Sequence, residues 1–169
     1  MSFPSEIISW KSKVKGRWVI LDTDAIVSFI TYQQEYILKE LKDISAGLVL
    51  IHPVLLELMN TNSPSEKLAR TKLLYDHEIT ELTLDNTILK HAYKLRESLP
   101  LDCQPSPTDL YLGGTIGKYS SGNALLLTGN IKDFPYPTYI REGHLLLQNK
   151  KSVKTLTFLS LDFMTLVDF

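Results

Sequence analysis

Six oxygen-bearing side chains stand where this chain could do chemistry: Asp22, Glu57, Asp109, Thr128, Asn130 and Asp133. Each falls at the end of an apolar run or in the early turns of a helix-compatible segment, so residues far apart in sequence share one kind of position. If those positions meet, several carboxylates gather without matching cations. Like charges so placed repel, and the acids tend to hold protons unless a divalent cation neutralises them. An oxygen-only donor set favours Mg²⁺ or Mn²⁺, whereas zinc would draw on histidine and cysteine. Other roles fit the same residues taken singly. Asp22, Thr23 or Asp24 can N-cap the helix that follows, Asp109 can complete a capping box with Ser106, and Glu57 can pair with a Lys or Arg at a helix edge.

The apolar spacing says which elements must position these groups. Trp18 to Ile30, WVILDTDAIVSFI, is strand, acidic turn, helix. A Val/Ile/Leu run without alternation suits a strand buried on both faces, as in a parallel sheet covered by helices. Asp22 then lies at the strand's carboxyl end, the rim where open α/β sheets bind ligands. Leu48 to Ile51 is a second such run, feeding a helix from about Pro53 that sets Glu57 among Leu55, Leu56, Leu58 and Met59; that setting predicts a buried acid. His52 either faces the same site or hydrogen-bonds within the turn. Ala124 to Leu127 is a third run, ended by Thr128-Gly129-Asn130, with Asp133-Phe134 just beyond.

Between these runs, Gln34 to Ile44 reads as an amphipathic helix ended by Gly47, and Ser63-Pro64-Ser65-Glu66 as a capping box opening a helix to about His77. Ile79 to Leu84 reads as a strand, and Asp85 caps a helix with Ile88, Ala92, Leu95 and Leu99 in one stripe. Gly113, Gly114 and Gly117 within Leu110 to Lys118 predict close approach to another backbone. Leu145 to Leu147 and Leu156 to Leu161 read as strands, and Asp162 to Phe169 as a closing helix.

The 169 residues are 44% hydrophobic, ample for the core of one domain. The single cysteine, Cys103, excludes an internal disulfide and a Cys-rich zinc site, which makes a reducing cytoplasm the expected compartment. No stretch has the apolar length of a signal peptide or a membrane span. A formal charge of -1 argues against a globally basic nucleic-acid binder, though not against a local patch. Ser5 to Lys11 can form a short helix, while Trp10 to Arg17 offers such a patch: if extended, Lys11, Lys13, Lys15 and Arg17 share a face, as a phosphate-contacting edge or as a solvated edge strand.

Taken together, VILDTDAIVSFI, PVLLELMN, PTDLYLGGTIGKY and LLLTGNIKDFP resemble, in order and placement, the motifs of the PIN (PilT N-terminal) domain nucleases, closest in style to VapC-type toxin ribonucleases. The resemblance runs from about Arg17 to the last helix, giving a lead segment, 1–16, and a single PIN-like domain, 17–169. It implies a three-layer α/β/α sandwich with a central, mainly parallel sheet, and Mg²⁺- or Mn²⁺-dependent cleavage of single-stranded or structured RNA. It maps Asp22, Glu57 and Asp109 as catalytic, metal-holding acids, with Asn130 or Asp133 near the fourth position, Asp133 as its metal ligand, and Thr128 in support. The toxin branch further implies a homodimer and an inhibitory antitoxin. Two rivals stand beside this reading. VILDTDAIV and LLLTGN also imitate a haloacid-dehalogenase-like phosphatase, which leaves Glu57 unexplained and lacks that family's final acidic pair. The other is a catalytically silent PIN module that binds RNA or protein.

Overall fold

A computed structural model of the chain describes residues 9–119 and 122–162. The closing helix expected after Asp162 lies outside the described residues, as do residues 1–8 of the lead segment. In chain order the elements are α1 (Ser9–Val14), β1 (Trp18–Leu21), α2 (Thr23–Thr31), α3 (Tyr36–Ile44), β2 (Gly47–Ile51), α4 (His52–Met59), α5 (Pro64–Asp76), β3 (Thr80–Leu82), α6 (Asn86–Ser98), α7 (Pro107–Lys118), β4 (Ala124–Thr128), β5 (Tyr139–Gln148) and β6 (Val153–Leu161), with a 3-10 turn at Ile131–Asp133.

The strands form one six-stranded sheet in the order β3-β2-β1-β4-β6-β5. β1 runs parallel to β2 and β4, and β2 parallel to β3. β6 is antiparallel to both β4 and β5, so the sheet is mixed and not purely parallel, a parallel half joined to a long hairpin. Every residue of β4, and all but the first of β1 and β2, is buried, which requires cover on both faces of these strands. The cover comes from helices: α7 packs on β1, β4 and β6, α2 on β4, and α3 on β2.

Helix ends follow the expected chemistry. Ser63 accepts the Glu66 N–H at 3.3 Å, although the Glu66 carboxylate turns to Thr61 and Arg70 instead of closing the box. Asp85 accepts the N–H groups of Thr87 and Ile88 at 3.0 Å each. The glycines of α7 mark its close approach to α6: a Cβ on Gly114 would meet the backbone of Ile88 and Ala92.

Residues 9–14 differ from the extended basic edge that alternation suggested. They are helical, because Trp10 and Val14, four apart, both point into the core at 3% and 0% exposure. Trp10 stacks on Phe158 with ring centroids 5.9 Å apart. The helix removes Lys11, Lys13, Lys15 and Arg17 from a shared face, and none of the four lines the acidic cleft described below. Lys11 pairs with Glu40 at 2.9 Å, while Lys13 and Arg17 approach Glu142.

Candidate active site

The carboxyl ends of β1 and β4, paired through Leu21 and Leu127, place Asp22 and Thr128 side by side. Asp22 is the N-cap of α2: its Oδ1 accepts the Thr23 N–H at 2.6 Å. Its Oδ2 accepts the Thr128 hydroxyl at 2.7 Å, and Thr128 Oγ1 in turn accepts the Asn130 N–H at 3.0 Å. Capping and siting are therefore one geometry, since the bond that starts α2 also fixes the carboxylate. Asp22 is only 7% exposed. Burial pushes its pKa up to about 6; the bonds from Thr128 and Thr23 pull the other way, and the charges of Asp109 and Asp24 add to the rise.

Asp109 arrives from α7. Ser106 caps that helix: in the capping box Ser106 Oγ accepts the Asp109 N–H at 3.2 Å and Asp109 Oδ2 accepts the Ser106 N–H at 2.9 Å, and the Ser106 hydroxyl also donates to Oδ2 at 2.6 Å. Burial raises the Asp109 pKa, the Ser106 bonds oppose it, and the charges of Asp133 and Glu57 raise it further. Glu57 comes from α4. It is exposed rather than buried, because α4 lies at the rim and buries only Val54 and Leu58 completely, leaving Leu56 59% exposed. No Lys or Arg pairs with it among the described residues. The Thr23 hydroxyl donates to Oε2 at 2.6 Å and the Thr108 hydroxyl to Oε1 at 2.7 Å, tying α4 to the first turns of α2 and α7.

Asn130 and Asp133 flank the same space, and the Asn130 amide donates to Asp133 Oδ2. Thus Asp22, Glu57, Asp109, Asn130 and Asp133, spread over more than a hundred residues, line one open cleft with Thr23, Asp24, Ser106 and Thr108. Thr128 stands beneath it, fully buried. His52 is engaged elsewhere, by Glu81. The sequence marks Thr23, Asp24 and Ser106 only as capping residues, and Thr108 and Lys154 not at all; the contacts of Thr23 and Thr108 with Glu57, and the pair of Asp24 with Lys154 at 2.9 Å, come from the fold. Thr23 and Thr108 each adjoin a mapped acid, which was the available signal.

The donor chemistry fits a hard dication: carboxylate and hydroxyl oxygens, with two acids whose ionisation burial opposes and a positive charge would favour. As placed, no three acidic, histidine or cysteine side chains among the described residues converge tightly enough to enclose an ion. Internal hydroxyl and amide donors satisfy most of the carboxylate oxygens instead, leaving Asp109 Oδ1 and Asp133 Oδ1 without a hydrogen bond among the described residues.

No protein-family model matches the chain, and no curated protein does so by sequence. Among solved structures, a chain of the crystal structure of DNA-bound VapBC from Salmonella typhimurium matches with a TM-score of 0.57 at 20% identity, over 72% of this chain and 93% of that one. That likeness establishes a shared fold, an α/β architecture consistent with the PIN-like one implied by the sequence motifs.

Proposed function

We propose that the protein is a metal-dependent endoribonuclease of the PIN type, hydrolysing phosphodiester bonds of single-stranded RNA, and the toxin of a pair whose other member is an inhibitory antitoxin. The observation that carries this reading is the convergence of Asp22, Glu57, Asp109 and Asp133 on one cleft at the carboxyl rim of the parallel strands. The fold shared with a VapBC chain supports it.

Asp22, Asp109 and Asp133 are the groups that would hold a Mg²⁺ or Mn²⁺. When bound, such an ion supplies positive charge to the scissile phosphate and acidifies water. Thr128 keeps Asp22 in a single orientation, and the Ser106 capping box does the same for Asp109. Glu57, steadied at both oxygens by threonine hydroxyls, orients the attacking water and takes its proton. The water oxygen bonds to phosphorus, the bond to the 3′ oxygen breaks, and that oxygen takes a proton from solvent. The products are 5′-phosphate and 3′-hydroxyl ends.

An end-labelled single-stranded RNA incubated with Mn²⁺ tests the proposal. Cleavage by the wild type, lost in EDTA and in Asp22→Asn, Asp109→Asn and Glu57→Gln, is the expected pattern. Full activity in EDTA or in Asp22→Asn would defeat it. The silent binding module is the second reading, favoured by the internal satisfaction of the carboxylates; salt-sensitive RNA binding by a wild type that never cleaves with Mn²⁺ would select it.

A further inference from the structure

An RNA strand entering this cleft meets carboxylates on every side, so its phosphates need a cation from the protein. Lys154 on β6 is placed to supply one. Its Nζ lies 3.1 Å from Asp24 Oδ1 and 2.9 Å from Oδ2, at the margin of the cleft. The side chain passes over Gly129, which lies between the buried Thr128 and the cleft residue Asn130. A Cβ at Gly129 would sit 2.6 Å from Lys154 Cε and 2.8 Å from Nζ, and would collide with the Asp24 carboxylate as well. Gly129 is not among the glycines with positive φ, and the atoms a Cβ would meet are the ends of the Lys154 and Asp24 side chains, so the glycine leaves room for this ion pair. The ion pair is about a third exposed on each side, at 32% and 38%, and such pairs add little to stability. The ammonium beside the cleft thus stays within reach of an incoming phosphate.

We propose that Lys154 is the phosphate anchor of the cleft: Asp24 holds its ammonium at the margin until a backbone phosphate of single-stranded RNA takes it over. The proposal rests on the nuclease reading for the identity of the ligand, and its test is separable from that reading. Lys154 is a binding residue and takes no part in bond breaking.

The test is fluorescence anisotropy of a short fluorescein-labelled single-stranded RNA, titrated in Ca²⁺ with wild type, Lys154→Gln, Lys154→Arg and Asp24→Asn, RNA integrity being followed on a gel. One phosphate contact to a single strand contributes about 0.7 to the slope of log affinity against log salt. Referred to ~1 M salt, where this electrostatic part vanishes, Lys154→Gln should bind about eightfold more weakly near 50 mM salt and about threefold near 200 mM, with the slope shallower by about 0.7. Lys154→Arg should bind as the wild type does, and Asp24→Asn should bind more tightly because it frees the ammonium. Wild-type affinity and slope in Lys154→Gln would overturn the proposal. So would equal weakening in Asp24→Asn and Lys154→Gln, the signature of a strut between α2 and β6, or a wild type that does not bind RNA. Urea midpoints close to wild type confirm that folded variants are compared. A wild type that binds with these signatures yet never cleaves in Mn²⁺ leaves the anchor standing and removes the nuclease.

Discussion

Asp22→Asn should make the metal-free protein more stable at pH 8, although it removes the residue at the centre of the cleft. Burial lifts the Asp22 pKa from 3.8 to about 6. A shift of that size means that ionised Asp22 costs the folded state about 3 kcal/mol. A group raised in the folded state contributes stability that is complete below its unfolded pKa of 3.8 and is lost as pH rises through about 6. Asparagine escapes that loss. It keeps the Thr23 N–H on its oxygen but turns an amide toward Thr128, which loses its acceptor, at a cost of about 1 kcal/mol. The net gain at pH 8 is about 1 to 2 kcal/mol, or about 2 to 8 °C in Tm for a chain of this size. It should shrink as pH falls through 6 and turn, near pH 4, into a deficit of about 1 kcal/mol, the cost of the lost Thr128 bond. Urea denaturation of both proteins in EDTA, from pH 4 to pH 8, measures it. A variant less stable than wild type at pH 8, or a difference independent of pH, would refute the reasoning.

Mn²⁺ should reverse that order: at ~100 times its dissociation constant it stabilises the wild type by about 2.7 kcal/mol, and Asp22→Asn or Asp109→Asn by much less, in a thermal-shift titration. Equal shifts in all three would place the ion elsewhere. Thr128→Val leaves Asp22 Oδ2 and the Asn130 N–H without their partner and should cost about 1 to 3 kcal/mol by urea denaturation. Unchanged stability would show that the buried bond is dispensable. Gly114→Ala puts a Cβ 3.0 Å from the Ala92 nitrogen and closer still to the Ile88 carbonyl, backbone that cannot turn aside, so α6 must shift. The expected loss is about 1 to 3 kcal/mol in thermal unfolding, and a neutral result would mean that α6 and α7 separate freely.

The strands carrying the site were legible because burial on both faces leaves an unbroken apolar run, as in Val19 to Leu21, Leu48 to Ile51 and Ala124 to Leu127. The first half of β5 was not. Tyr139 to His144 lies on an edge strand with only Tyr139 fully buried, so its polar sequence gave no sign of pairing. Residues 10–17 carry two patterns at once, alternating basic residues and a Trp10–Val14 spacing of one helical turn, and packing on Phe158 decides for the helix. Asp22 and Asp109 could be found because the signals for capping and for a functional rim coincide in them. Glu57 was found for a reason that does not hold: its leucine neighbours suggest burial, but α4 has only one face against the core. The groups that hold the acids were hidden by distance, since Thr23 lies 34 residues from Glu57, Thr108 lies 51 from it, and Lys154 lies 130 from Asp24. Only the fold pairs them.

A crystal soaked in Mn²⁺, with anomalous diffraction recorded near the manganese edge, puts the central claim to its most direct trial. The account predicts a peak in the cleft about 2.1 Å from carboxylate oxygens of Asp22 and Asp109, with the Ser106 and Thr128 bonds adjusting around it. No peak there at a saturating concentration, or a peak on carboxylates outside the cleft, would contradict it.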